Sequence, residues 1–304
     1  MKQRTSLLGL VPILALSLSL MTPPARGQVP AAEAGEAREF GVIDNSDDMR
    51  KIPVKEVASI MKEIGYKSVA VSTYEPQFEA RMKAFREASL RIGAVSLAWT
   101  TDGKSDKFNI PMDLVLSKVR DTGAIIMFGI RVEEGATVTD ERIVEQLRAR
   151  AKQAQEAGVT LGIYPHIGFR VSRFDHATRI ADAIDHPAFG VCFVLCHYMK
   201  QSDEQDIPAK LRAAKDRIVT AVINGSPTGN TKAMRFERLV QHIDKGEFDL
   251  AGFLDLLCGE LKFEGPVYVQ CVNIRAPTRR TLEATYAKWQ DLKRHCRVTG
   301  PQEK

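Results

Sequence analysis

The chain alternates, from Phe40 onward, between short apolar runs rich in Val and Ile and longer amphipathic stretches. The runs are hydrophobic almost without interruption, which is typical of parallel strands buried on both faces. In the stretches between them, apolar side chains recur every three or four residues, so each helix has one stripe that must pack on a sheet. The eight runs are Phe40–Ser46, Ser68–Tyr74, Ala94–Thr100, Ala124–Val132, Thr160–His166, Gly190–His197, Val219–Asn224 and Val267–Ile274.

Eight strand–helix units in one chain predict a closed (β/α)8 barrel, the TIM barrel, which takes roughly 250 residues. Gly65, Gly93, Gly123 and Gly158 each stand between a helical stretch and the following run, where a helix C-cap glycine is expected. An open doubly wound sheet is the alternative, because a single sequence does not contain the strand order. The glycine-rich phosphate-binding motifs of nucleotide-binding open sheets do not occur in the sequence.

The first 27 residues have the pattern of a secretory signal peptide. Lys2 and Arg4 precede a Leu-rich apolar run from Ser6 to Met21, and residues 25–27 offer a cleavage site with small residues at both ends. We expect this segment to be removed and the protein to be exported, to the periplasm or outside the cell. An uncleaved membrane anchor is the alternative, although the run is shorter than the ~20 residues that usually span a bilayer.

The mature chain is predicted to contain one domain. A flexible lead-in at residues 28–38 precedes the barrel at 39–296, and a tail occupies 297–304. Loss of the three cations of the signal peptide lowers the net charge from +5 to +2, so we expect no nucleic-acid partner. No membrane association is expected after cleavage, and the oligomeric state stays open.

The five cysteines are an odd number for an exported chain, and no CxxC motif occurs. Cys192, Cys196 and Cys271 lie within apolar runs, where cysteine usually acts as a small hydrophobe. A disulfide framework is therefore not expected.

Polar side chains gather where the apolar runs end, and in a barrel the active site lies at the C-terminal ends of the strands. His166 and His197 stand at consecutive run ends, and each is predicted to be a general base or a metal ligand. A structural histidine held under a loop is the alternative for either. Lys200 is predicted to hold an anion or polarise a carbonyl, unless it is a solvated loop lysine. These three are the predicted catalytic residues.

Four further residues are predicted to bind substrate: Arg131, Asn224, Gln270 and Trp99. The amides of Asn224 and Gln270 can hydrogen-bond sugar hydroxyls, or else they cap local loops. Arg131 is expected to meet an anion or a loop carbonyl, and its alternative is a salt bridge to a neighbouring glutamate.

Four segments carry a resemblance to a known family: GVTLGIYPHIG, HPAFGVCFVLCHYMK, VTAVINGS and GPVYVQCVNI. They resemble strands five to eight of the xylose isomerase-like TIM-barrel proteins, often called sugar phosphate isomerase/epimerases, and the resemblance extends over about residues 40–295. It implies a divalent metal held by two carboxylates, an Asp and a His. At the corresponding positions this chain has Tyr164, Val194, Asn224 and Gln270, so it resembles a branch with altered ligands. Whether a metal is bound is therefore unknown: Asp44, Glu133 or Glu134 could supply a carboxylate, but the sequence does not place them.

The resemblance and the two histidines together favour a sugar isomerase or epimerase that moves a proton next to the carbonyl of a carbohydrate or keto-sugar. A non-catalytic carbohydrate-binding barrel and a lyase or hydrolase of oxidised glycosides are the alternatives. A DNA-repair endonuclease on the same fold is disfavoured by the missing metal ligands and the near-neutral mature charge. The expected partner is a small carbohydrate, and the cofactor is unknown.

Overall fold

The computed structural model describes residues 39–73 and 77–296 of the chain. The predicted signal peptide, lead-in and C-terminal tail lie outside the described residues. In the described ranges the strands are β1 (Phe40–Ile43), β2 (Ser68–Ser72), β3 (Arg91–Thr101), β4 (Asp106–Phe108), β5 (Ile125–Val132), β6 (Thr160–Ile163), β7 (Phe189–Val194), β8 (Ile218–Ile223) and β9 (Val267–Val269). The α-helices are α1 (Val54–Ile64), α2 (Phe78–Glu87), α3 (Met112–Val119), α4 (Asp140–Glu156), α5 (Phe174–Ile184), α6 (Leu195–Met199), α7 (Ile207–Ala214), α8 (Phe236–Leu239), α9 (Leu250–Leu254) and α10 (Thr278–Leu292).

The sheet closes on itself. Its strand order is β2-β1-β9-β8-β7-β6-β5-β3, and β2 also pairs with β3, which joins the two ends. All pairings among these eight strands are parallel, while β4 adds an antiparallel hairpin to the end of β3. The predicted (β/α)8 TIM barrel is confirmed and the open doubly wound sheet is excluded.

The predicted helix C-caps are right at Gly65 and wrong at Gly93. Gly65 follows α1 with a φ of 107°, in the left-handed region that glycine adopts without strain. Gly93 lies inside β3, because α2 ends earlier and Ser89 takes the left-handed turn with a φ of 62°. A Cβ at Gly93 would come within 2.1 Å of the Tyr268 hydroxyl inside the barrel, so this glycine provides space for packing.

The barrel interior and the helix layer form one continuous apolar core. Phe128 and Phe193 are fully buried within the strands. On the outside, the Trp289 ring of α10 stacks on Phe40 of β1 with ring centroids 4.2 Å apart. No helix in the described part of the chain is long and apolar enough to cross a membrane.

A disulfide joins Cys258 to Cys296, which corrects the expectation that the cysteines form none. Cys258 lies in a π-helical turn after α9, and Cys296 ends the short turn after α10, with their Cα atoms 5.1 Å apart. The other three cysteines are buried and reduced, as the apolar runs around them predict. The sequence pattern missed the pair because its members are 38 residues apart and meet only through the packing of the last helix.

Replacing both Cys258 and Cys296 with alanine is expected to lower the free energy of unfolding by about 2–4 kcal/mol, because the bridge restricts the unfolded chain. Urea unfolding of the oxidised wild type and the double variant measures the difference. Dithiothreitol should destabilise the wild type and leave the double variant unchanged. A wild type that is insensitive to the reductant would contradict a stabilising role for the bridge.

Candidate active site

A cavity of about 480 Å³ opens at the C-terminal ends of the barrel strands. Residues at or just beyond the C-terminal ends of β1, β5, β6, β7 and β9 form its wall, so the strand ends converge as the barrel topology predicts. The lining residues are Ile43, Asn45, Arg50, Ser72, Ser96, Leu97, Gly129, Arg131, Tyr164, His166, Ile167, Phe169, His197, Phe236, Gln270, Val272 and Asn273.

His166 and His197 face each other in this cavity. Their ring centroids are 4.1 Å apart, so the two predicted imidazoles do come together. His166 lies in the loop after β6. The sixth apolar run does not stay extended to its end, because β7 stops at Val194 and His197 lies on the helical turn α6. The turn brings His197 inward, where it is only 3% exposed.

The peptide groups of Ile167 determine which nitrogen of each ring carries the proton. The Ile167 carbonyl oxygen lies 2.7 Å from Nδ1 of His166, and a carbonyl only accepts, so His166 Nδ1 is the donor. The Ile167 N–H donates to Nδ1 of His197 over 3.4 Å. In the neutral rings, His166 therefore has an unprotonated Nε2 and His197 has a protonated Nε2. One residue thus makes the two imidazoles complementary, a proton acceptor beside a proton donor.

Both imidazoles are held in the neutral form. Burial lowers the pKa of His166, and the positive charge of Arg131 lowers it further against the Ile167 hydrogen bond. Burial also lowers the pKa of His197 well below its ordinary value, with His166 adding to the effect. A neutral His166 is available as a general base at neutral pH.

If His166 is the base, we expect the reaction rate to stay constant between neutral pH and about pH 6.5, the pKa of free histidine. The rate should fall only at lower pH, where His166 becomes protonated. Both folded pKa values lie below the unfolded value, so the unfolded chain binds more protons than the folded chain below about pH 6.5. The free energy of unfolding therefore decreases as the pH is lowered through that range. Imidazole NMR titration of the folded protein measures the two pKa values. A His166 pKa above 6.5 would contradict this assignment.

Two amides and a phenol that line the cavity are joined by hydrogen bonds. Asn45 Nδ2 donates to Gln270 Oε1 over 2.8 Å, and Gln270 Nε2 donates to the Tyr164 hydroxyl over 3.3 Å. The Asn45 Oδ1 atom is buried and has no hydrogen-bond partner among the described residues. Gln270 was predicted as a substrate ligand, whereas Asn45 and Tyr164 were not, although both stand at the end of an apolar run. These groups offer polar contacts to hydroxyls of a bound ligand.

Arg131 and Phe169 form a stacked pair at the cavity. The guanidinium carbon of Arg131 lies 4.2 Å from the centroid of the Phe169 ring, and that ring lies 4.3 Å from the His166 ring. Gly129 makes the arrangement possible, because a Cβ there would come within 2.4 Å of Phe169 Cε2. Arg131 thus lines the cavity, and its contact with a substrate stays a prediction. Phe169 gave no signal in the sequence because it lies in a loop without periodicity.

Three predicted site residues do not line the cavity. Lys200 donates to the backbone carbonyls of Lys232 and Met234, so it braces a neighbouring loop. Asn224 is fully buried, and its amide donates to the Gly225 carbonyl at 2.7 Å, which is the loop-capping alternative.

Trp99 is also fully buried, with its indole N–H donating to Asp106 of the hairpin at 2.8 Å. The catalytic role of Lys200 and the substrate contacts of Asn224 and Trp99 stay predictions that these positions do not support.

The residues at the implied ligand positions do not fit the divalent metal that the family resemblance predicts. In residues 39–73 and 77–296, no three His, Cys, Asp or Glu side chains are placed so that they could hold a metal ion together. Tyr164 and Gln270, at two ligand positions, hydrogen-bond each other, and Val194 is apolar. Asp44, the carboxylate at the end of β1, is fully buried and bonded to Arg81 at 2.9 Å. Divalent ions prefer anionic oxygen ligands, and the described residues that line this cavity offer none.

Purified protein is expected to contain far less than one equivalent of zinc, manganese or magnesium after dialysis, because two imidazoles and neutral amides hold divalent ions weakly. Elemental analysis by mass spectrometry measures the content, and thermal unfolding with and without EDTA measures the effect on stability. Stoichiometric metal, or a melting temperature that falls in EDTA, would contradict the expectation.

The closed barrel and the cavity at its strand ends define a TIM-barrel protein with a site of small-molecule size. The chain belongs to the xylose isomerase-like TIM-barrel family, whose sequence model matches residues 31–289. The family resemblance of the four segments is thereby confirmed.

Solved structures agree on the fold. The IOLI protein with a bound zinc atom has a TM-score of 0.66 at 15% identity, over 85% of this chain and 99% of its own. The apo 3-keto-D-glucoside 4-epimerase YcjR from E. coli has a TM-score of 0.59 at 14% identity, over 85% and 100%. A xylose isomerase-like TIM barrel/4-hydroxyphenylpyruvate dioxygenase fusion protein has a TM-score of 0.62 at 17% identity; the match covers 88% of this chain and 46% of the fusion protein. No curated protein sequence matches this chain.

Proposed function

We propose that this protein is a sugar isomerase or epimerase that transfers a proton next to a carbonyl without a bound metal. The observation that carries the proposal is the imidazole pair, 4.1 Å apart in a cavity, with Nδ1 of each ring bonded to a peptide group of Ile167 in the opposite sense. Acid–base chemistry of this kind needs one group that accepts a proton and one that donates a proton or hydrogen bond.

The proposed reaction begins with a keto-sugar whose carbonyl oxygen accepts a hydrogen bond from His197 Nε2–H. His166 Nε2 removes the proton from the carbon beside the carbonyl, and the electron pair of that C–H bond moves toward the carbonyl oxygen. The resulting enediolate is stabilised by the His197 donor and by polar contacts from Asn45 and Gln270. Return of the proton from His166 to the neighbouring carbon, with transfer of the hydroxyl proton between the two oxygens, gives an isomer. Protonation of the original carbon by water on the opposite face, with His166 releasing its proton to solvent, gives an epimer. No net oxidation occurs.

Proton exchange with solvent tests the proposal directly. Keto-sugars and 3-keto-glycosides are incubated with the protein in D2O, and deuterium entering next to the carbonyl is followed by NMR. Enzyme-dependent deuteration or conversion to an epimer supports the function. A failure of all substrates to exchange, in protein that binds them, would leave the second candidate in its place.

The second candidate is a carbohydrate-binding barrel without catalysis. The described residues of the cavity include no carboxylate and no metal-binding cluster, whereas the family resemblance implies both. The loss of these groups favours a protein that has also lost catalysis. Such a protein would bind sugars and show no deuterium exchange. A lyase acting on oxidised glycosides would begin with the same proton removal, and release of the leaving group would identify it.

Export is part of the proposal. The first 27 residues have the signal-peptide pattern, and the disulfide between Cys258 and Cys296 is of the kind that persists in oxidising compartments. Fractionation of cells that express the full chain, with N-terminal sequencing of the product, tests it. Protein that stays in the cytosol with an intact N-terminus would contradict export.

A further inference from the structure

The two imidazoles belong to segments that are separate in the chain. His166 lies in the loop at residues 164–173, between β6 and α5, and His197 lies on α6, which follows the buried strand β7 directly. The loop reaches the second ring through the Ile167 N–H, which donates to His197 Nδ1 over 3.4 Å, a long hydrogen bond. A small shift of the loop away from α6 would therefore break this contact.

The side chain of Gln201 joins the two segments. Its Nε2 donates to the Ser172 carbonyl oxygen at 2.7 Å and, over 3.4 Å, to the His197 carbonyl oxygen. An amide nitrogen has two hydrogens, so it can serve both acceptors at once. A bond in the opposite sense comes from Arg173, whose Nη1 donates to the Gln201 carbonyl oxygen at 3.3 Å. Gln201 is thus bonded to the segments of both histidines.

The contact with His197 caps the end of a helical turn. In a continuing helix, the Gln201 N–H would bond to the His197 carbonyl four residues earlier. Here that N–H bonds to the Tyr198 carbonyl at 2.9 Å, and the side chain of Gln201 takes its place at His197. Carbonyls at a helix end are stabilised by such side-chain donors. The amide of Gln201 is therefore fixed to the same turn that carries the His197 ring.

The contact with Ser172 reaches His166 through the loop backbone. Ser172 follows Val171, whose carbonyl oxygen accepts from the His166 N–H over 3.2 Å. The Phe169 N–H closes the same turn onto the His166 carbonyl at 3.0 Å. These bonds make residues 166–171 one hydrogen-bonded turn, so a bond that fixes Ser172 also restrains His166. Ile167, which determines both tautomers, lies inside this turn.

We propose that Gln201 is a positioning residue of the imidazole pair: its amide holds the loop of His166 against α6, at the separation that lets Ile167 bond to both rings. The geometric part of this inference is independent of the proposed function. Its consequence for catalysis rests on that function, because the proton acceptor of His166 and the donor of His197 must then meet one substrate.

Histidine NMR of the purified Gln201→Met variant tests the geometry. Methionine is a flexible side chain of similar length that donates no hydrogen bond. The wild type should show a nuclear Overhauser cross peak between the two rings, because their centroids are 4.1 Å apart. In Gln201→Met this cross peak should disappear, and the His197 Nδ1 signal should move to the position of a nitrogen that accepts no hydrogen bond. His166→Gln and His197→Gln identify the signals.

Two further variants separate positioning from a general loss of hydrogen bonds. Gln146→Met is the matched control, because Gln146 is half-buried like Gln201 and accepts from Thr101 Oγ1 at 2.8 Å, but it lies on α4, outside both histidine segments. It should keep the cross peak. Gln201→Lys retains an N–H donor on a long side chain and should keep it too. Urea unfolding of each variant measures stability separately.

Deuterium exchange next to a substrate carbonyl measures the consequence for catalysis. Gln201→Met should lower the rate constant by up to about 10²-fold, the usual cost of a misplacement of about 1 Å, with little change in the Michaelis constant. Gln201→Lys should recover most of the rate, since its donor restores the position of the loop.

The outcomes distinguish the two proposals. A cross peak and a His197 signal that persist in Gln201→Met overturn the positioning role, whatever the urea midpoint, and leave the proposed function untouched. Loss of the cross peak in Gln146→Met, or in a folded Gln201→Lys, also overturns it. Loss of the cross peak in Gln201→Met with an unchanged exchange rate supports the positioning and contradicts the proposed function. A wild type without exchange contradicts the proposed function alone.

Discussion

Replacing His166 with glutamine is expected to slow deuterium exchange next to a substrate carbonyl by about 10²–10⁴-fold, the usual contribution of a general base. Glutamine keeps a polar side chain of similar size but has no nitrogen lone pair that accepts a proton. Substrate binding should change little, because the ring contributes one contact among many. The rate constant and the Michaelis constant for exchange, measured separately, distinguish a chemical role from a binding role.

His197→Gln should reduce the rate by a similar factor, since it removes the donor aimed at the carbonyl oxygen. The double variant should be only slightly slower than either single variant, because residues that act on one proton transfer are not additive. His186→Gln is the control, because His186 is partly exposed and does not line the cavity. This substitution should leave the rate unchanged. Full activity in His166→Gln would refute the proposed mechanism.

Replacing Asp44 with asparagine is expected to destabilise the fold by about 3–5 kcal/mol, because it leaves the Arg81 charge buried without its partner. Asp44 is fully buried and Arg81 is 6% exposed. Arg81 donates to Oδ2 and to the backbone carbonyl of Asp44, each at 2.9 Å, and the Ser72 N–H donates to Oδ1 at 2.7 Å. The pair therefore ties α2 to the ends of β1 and β2 at the rim of the site.

Urea unfolding measures this loss. Glu87→Gln is the matched control, because it breaks the exposed pair of Lys83 and Glu87 at 3.7 Å, for which less than about 1 kcal/mol is expected. A double variant, Asp44→Asn with Arg81→Met, should recover part of the stability, since it removes the orphaned charge. If Asp44→Asn unfolds at the same urea concentration as Glu87→Gln, the buried pair contributes no more than a surface one.

The strand ends explain why part of the site was predictable. His166, His197, Arg131 and Gln270 stand at or near the ends of barrel strands or of the apolar runs that form them, and a parallel barrel brings such positions together whatever the loops do. Lys200 follows the same run as His197 but lies beyond the helical turn α6, where its direction depends on the loop at residues 231–234. Sequence reasoning treated the run as extended to His197 and had no means to see that turn.

The amino-acid sequence by itself determined the barrel and the end of the barrel where chemistry is placed. Hydrophobic periodicity is a local property, and eight repeats of it leave few ways to bury the apolar faces. Only the tertiary structure decided the tautomers set by Ile167, the Phe169 ring over Gly129, the capture of Asp44 by Arg81 and the pairing of Cys258 with Cys296. Those features depend on loop conformations and on contacts between distant residues, for which a periodic pattern carries no information.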